Sequence, residues 1–176
     1  MLTKLISAAA LLALGSTAAL AHVTLEVKQA PVGSTYKAVF RVPHGCEGKP
    51  TNAVRVRLPQ GYYAVKPMPK PGWTLEKITG KYEKPYNNHG TEMTEGVTEV
   101  VWSGGNLPDD EYDEFVVRGA LGADLEVGTT LYFLVVQECP EGAAERWIET
   151  PAAGQSADDL EMPAPGLKLV EKTGGH

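Results

Sequence analysis

The chain has 176 residues, 43% hydrophobic and 22% charged, and its 16 Lys and Arg against 22 Asp and Glu give a formal net charge of −6. No basic cluster occurs, which argues against nucleic acid and anionic membrane surfaces as partners. Taking away a leader of 21 residues leaves 155 residues at a charge of −7, enough for one domain around a single core.

Residues 1–21 read as a secretory signal peptide, expected to be cleaved. Met1 and Lys4 make a short basic start, residues 5–14 an apolar run of about ten residues that is too short to span a bilayer, and Ala19-Leu20-Ala21 a small-residue cleavage site. Without a lipobox cysteine, such a signal points to the periplasm. No later run approaches the ~20 apolar residues of a transmembrane helix, so no membrane span is expected after cleavage. Cleavage after Ala21 puts His22 first, with a free α-amine whose ordinary pKa is about 7.7–8.0. That amine and the Nδ1 of the same residue can close a six-membered chelate on one metal ion, and a tetragonal nitrogen pair suits Cu(II). The competing reading is a histidine left by processing, with no role.

From His22 onward the hydrophobic period is two and no helical stripe is sustained. Val23, Leu25 and Val27 alternate with polar residues, as do Tyr36-Ala38-Phe40-Val42 and Val54-Val56-Leu58, the last with Arg55 and Arg57 on the other face; Val97-Val100-Trp102 follows less cleanly. Phe115-Val116-Val117 and residues 131–136 are nearly continuous apolar runs, as expected of central strands buried on both faces. Pro-Gly punctuation, as in Pro43-His44-Gly45, Pro59-Gln60-Gly61 and Pro69-Lys70-Pro71-Gly72, separates the strands about every ten residues. The pattern predicts an all-β fold, a single antiparallel β-sandwich. Residues 82–96 are polar and carry Asn87-Asn88-His89-Gly90, the mark of a long hairpin or a surface loop. After Pro151 the composition shifts to Ala, Pro, Gly and acidic residues. The domain is therefore expected to span 22–152, and 153–176 to be a flexible tail.

Cys46 and Cys139 are the two cysteines of the chain. An even count in an exported protein makes a disulfide the default reading, with a copper-thiolate pair as the alternative. A bridge closing a loop this long stabilises a fold by roughly 4–5 kcal/mol in the chain-entropy model.

Several pieces in this order resemble a known family: His22-Val23, Phe40-Arg41-Val42-Pro43-His44-Gly45-Cys46, Pro69-Lys70-Pro71-Gly72-Trp73, Val101-Trp102-Ser103-Gly104-Gly105, Asp113-Glu114-Phe115, and Gln137-Glu138-Cys139 followed by Arg146-Trp147. Together they resemble the YcnI-like copper-binding domain, long catalogued as a domain of unknown function, over roughly residues 22–152. The resemblance implies an immunoglobulin-like or cupredoxin-like sandwich that holds one Cu(II) per chain through a single-histidine brace. It also implies a role in extracytoplasmic copper homeostasis beside copper importers or other periplasmic copper carriers. His22 matches the brace histidine, Glu114 an acidic position assigned as a carboxylate ligand, and Trp147 a tryptophan beside the metal. Glu138, Glu145 and Glu149 also lie near landmarks of that site. Many relatives carry a C-terminal membrane helix; none is expected within residues 22–176, which puts membrane tethering in doubt.

Each of these residues also has a plain reading. Trp147 can be packing and Glu114 a solvent-facing strand position. His44 reads as a turn residue beside the disulfide, His89 and His176 as solvated, and Met68 and Met93 lack the clustered thioethers of a Cu(I) site. The chain shows no Gly-x-Ser-x-Gly elbow, no paired histidines around a carboxylate and no phosphate loop, so a carrier or metallochaperone is expected rather than an enzyme. Two alternatives stand: a copper oxygenase with an N-terminal histidine brace, which needs a second histidine, and a structural or adhesive sandwich domain that binds no metal.

Overall fold

The computed structural model describes residues 22–172, so the expected signal peptide and His176 lie outside the described residues. Twelve strands follow one another: β1 (Thr24–Leu25), β2 (Gln29–Pro31), β3 (Thr35–Val42), β4 (Thr51–Arg57), β5 (Tyr62–Pro67), β6 (Thr74–Asn88), β7 (Thr91–Leu107), β8 (Asp113–Leu121), β9 (Thr130–Tyr132), β10 (Leu134–Glu138), β11 (Ala144–Trp147) and β12 (Gly166–Val170). They form a four-stranded sheet β1-β3-β8-β5, a five-stranded sheet β11-β10-β4-β7-β6 and a small sheet β2-β12-β9. All pairings are antiparallel except β2 with β12, so the all-β antiparallel expectation holds. No helix among the described residues is long and apolar enough to cross a membrane.

The period-two pattern explains the layers. Tyr36, Ala38, Phe40 and Val42 all face inward from β3, and Val54 and Val56 do so from β4, while Arg55 turns outward to Glu99. Phe40 and Tyr62 meet Phe133 edge-on at centroid distances of 5.3 and 5.5 Å, and Phe115 sits likewise against Trp102 at 5.4 Å and Trp73 at 5.0 Å. Such edge-to-face pairs add about 0.5–1.5 kcal/mol each beyond the area they bury. Cys46 and Cys139 form the expected disulfide across 93 residues.

Three sequence expectations change. The run Phe115-Val116-Val117 is not buried on both faces: β8 alternates, with Phe115 and Val117 in the core and Val116 half-exposed, because each sheet of a sandwich packs on one side. Residues 131–136 are not one strand. Phe133 leaves the ladder to donate its N–H to the Pro165 carbonyl at 3.0 Å, and the chain crosses there from the small sheet to the five-stranded one. The tail 153–176 is not loose throughout either. Within it β12 places Leu167 and Leu169 fully in the core, a two-position alternation short enough to hide in a Pro- and Gly-rich stretch. Residues 82–96 resolve as a hairpin, closed by His89 and Gly90 at φ of 53° and 88°, the left-handed pair of a tight two-residue turn.

Candidate metal centre

His22 sits where the edges of two sheets meet. Val23 and Leu25, each 2% exposed, anchor β1 in the core, so residue 22 is one peptide from a fixed point. β1 is the edge of the four-stranded sheet, and β11, which ends at Trp147, is the edge of the five-stranded one. The His22 imidazole lies 5.5 Å from the Trp147 ring, centroid to centroid, tilted by 54°. Trp147 is buried, and its other aromatic neighbour is His44, at 6.3 Å and nearly perpendicular.

A polar network fixes this indole. The Trp147 N–H donates to Gln137 Oε1 at 3.3 Å, and the Gln137 amide donates to Thr51 Oγ1 at 2.6 Å and to the His44 carbonyl. Gln137 is wholly buried, so satisfying its amide keeps an otherwise costly group in the core. The His44 turn is held from its far side as well. Cys46 exchanges backbone hydrogen bonds with Lys49 and is bridged to Cys139 at the end of β10. Between them Gly45 has no room for a side chain, since a Cβ there would lie 1.9 Å from the Lys49 carbonyl oxygen. The Nδ1 of His44 faces the Gly45 carbonyl at 2.6 Å; a carbonyl only accepts, so the neutral ring carries its proton on Nδ1.

The acidic positions are distributed differently. Thr24, Arg41 and Glu114 form one row across β1, β3 and β8, which puts Glu114 two strands in from β1, the strand that follows His22. Its carboxylate accepts from the Tyr112 hydroxyl at 2.8 Å and lies 3.4 Å from the Arg41 guanidinium, which also holds Glu26. No ion pair joins Glu114 to His22 among the described residues. Glu138 pairs with Arg55, and Glu149 accepts the Met162 N–H. Glu145 stands across the β10–β11 ladder from Gln137. Met68 is exposed and His89 caps the hairpin tip. Among the described residues, no three His, Cys, Asp or Glu side chains gather as a metal-binding group.

The structure thus brings together His22 and Trp147 from the expected set, leaves Glu114 with Arg41 and Tyr112, and adds His44 and Gln137. Gln137 has a local signal, a lone amide after Leu134-Val135-Val136; His44 stands in a Pro-His-Gly-Cys turn, and its approach to Trp147 depends on a bridge that spans 93 positions.

The family model described as a domain of unknown function, DUF1775, matches residues 22–169. The chain belongs to the DUF1775 family. The match runs from His22 into β12 and takes in its first four residues, including the buried Leu167 and Leu169. Among solved structures, this DUF1775 chain is similar to an uncharacterized protein from Nocardia farcinica with an immunoglobulin-like fold, at 29% identity and a TM-score of 0.62, over 85% of this chain and 98% of that one. The sixth cohesin of Acetivibrio cellulolyticus scaffoldin B aligns at 7% identity and a TM-score of 0.40, over 84% of this chain and 97% of that one. No curated protein matches the chain at a significant level.

Proposed function

We propose that this DUF1775 protein is a periplasmic carrier that binds one Cu(II) at His22, through the α-amine freed by removal of residues 1–21 and the imidazole Nδ1. It then buffers the ion or passes it to an importer or another carrier. The observation that carries this reading is the seating of the His22 ring on a buried indole whose own N–H is already given to Gln137. An indole so fixed cannot turn to compete for the imidazole's nitrogens, and its bulk shields one side of the ring from water. One residue provides both nitrogens, so the brace needs no cluster of side chains. Nitrogen and oxygen donors favour Cu(II) over the softer-seeking Cu(I), so a one-electron donor that reduces the bound ion would weaken its hold. Both donors must lose protons to bind, so affinity rises with pH through their titration.

The test is a Cu(II) titration followed by electron paramagnetic resonance on the chain beginning at His22 and on one with a single residue added ahead of it. A tight equivalent with a nitrogen-rich tetragonal spectrum, lost or rearranged by the extension, is expected. Identical behaviour overturns the brace and favours a sandwich domain that binds no metal. A second reading, a copper oxygenase, draws on the approach of His44 to the same indole. It requires nitrogen coupling that disappears in His44→Ala, where the carrier reading keeps the spectrum.

A further inference from the structure

The outer face of the small sheet holds a cavity of about 410 Å³ that His22 lines on one side. Its floor is one face of β2, β12 and β9. Lys168 pairs with Gln29 on one side and Thr130 on the other, and Gly166 pairs with Tyr132; cross-strand partners share a face. Leu167 and Leu169, on the opposite face, are locked in the core, so the direction of the floor is fixed. Gly166 makes the floor possible. A Cβ there would lie 2.9 Å from Thr130 Cγ2 and 3.1 Å from Tyr132 Cε1, and would push away the ring that rests over it. Residues 22–25 form one wall, and Asp158 with the Pro163-Ala164-Pro165 segment forms the other.

The charged lining is distinctive in an acidic chain. Besides His22 it comprises Lys28, Lys168 and one acid, Asp158. Neither Lys28 nor Lys168 forms an ion pair among the described residues, as is also true of Lys37, Lys66, Lys77 and Lys81; what sets these two apart is that they line one concavity. The Lys168 N–H donates to the Lys28 carbonyl at 2.9 Å, so the two side chains start from adjoining segments. Two unpaired ammonium groups against one carboxylate give this concavity a net positive charge, on a molecule of net charge −6.

We propose that this cavity binds a small polycarboxylate. Lys28 and Lys168 pair with its carboxylates, the Tyr132 ring lies under its carbon skeleton, and the His22 wall leaves room for a further oxygen. The volume lies within the ~300–1,000 Å³ of small-molecule sites. Only the last contact rests on the copper reading, in which that oxygen stands beside the ion held by His22; the cationic site stands without it.

Citrate is the probe, titrated calorimetrically into the metal-free chain beginning at His22, at low salt, and into the double variant Lys28→Gln/Lys168→Gln. Inorganic phosphate is the control anion. One citrate per chain is expected, weakened about tenfold or more in the double variant and about tenfold or more tighter than phosphate, with the melting temperature of the variant unchanged. No saturable citrate binding, equal affinity in the double variant, or phosphate binding as tightly as citrate each overturns the proposal. The two readings fail separately: citrate is titrated without metal, so failure of the copper brace leaves its binding unaffected, and the double variant, titrated with Cu(II) alone, keeps the wild-type spectrum.

Discussion

Gln137 accepts the indole proton of Trp147 while its own amide protons go to Thr51 and to the backbone of His44, so one buried side chain sets the position of both rings around the candidate metal centre. Gln137→Leu keeps the volume and removes the network, leaving the Trp147 N–H and the His44 carbonyl without their partner. A loss of about 2–3 kcal/mol in urea unfolding is expected, since each buried group left unsatisfied costs ~1–3 kcal/mol. The Cu(II) spectrum of the same variant is expected to broaden as the indole loses its fixed orientation.

Glu114 is engaged by Arg41 and Tyr112. Glu114→Gln is therefore expected to leave Cu(II) affinity within about threefold and to change stability by less than ~1 kcal/mol, as for exposed ion pairs. A tenfold loss of affinity in a competition titration would make Glu114 a ligand after all.

The bridge between Cys46 and Cys139 closes 93 residues. Cys46→Ala/Cys139→Ala is expected to lower the unfolding free energy by roughly 2–5 kcal/mol in urea unfolding, with a steeper slope because the denatured chain loses its cross-link. Because the His44 turn hangs on that bridge, backbone amide shifts are expected to concentrate at residues 43–49.

Leu169 in β12 is fully buried. Leu169→Ala is expected to cost ~2–5 kcal/mol and to lower the melting temperature accordingly, the ordinary penalty for emptying a core site. A change within ~0.5 kcal/mol, the range of surface substitutions, would mean that the last strand is not part of the cooperative unit.

Burial pushes the hydroxyls of Tyr36 and Tyr62 above the ordinary phenol range, to which Glu26 adds at Tyr36 and Tyr36 adds at Tyr62. In the unfolded chain both ionise near pH ~10, whereas the folded protein keeps the protons. The folded state therefore binds more protons above that pH, and the stabilisation, complete below pH ~10, is lost as pH rises further. Denaturation midpoints from neutral to alkaline pH should fall above pH ~10, and Tyr36→Phe/Tyr62→Phe should flatten the decline.

The fold was legible where burial follows local alternation. Tyr36-Ala38-Phe40-Val42 announces its inward face without reference to any other segment, and all four residues are buried. β12 escaped because two leucines among Pro, Gly and Lys carry too little signal, and their burial depends on β2 and β9 lying alongside. At the candidate centre, His22 and Trp147 stood out through the signal junction and the resemblance. The engagement of Glu114 with Arg41 did not, since it follows from the register of three strands, and register is a property of the assembled sheet.

The first core anchor, Val23, immediately follows His22. Everything that makes the sandwich fold therefore begins one residue after the atoms on which the proposed chemistry depends. If the proposed brace holds, a recombinant sample with a residual tag or a misplaced cleavage would pass a folding assay like the authentic protein and yet lack the copper site. Mass spectrometry of the amino terminus, rather than any measure of folding, is the quality control this protein demands.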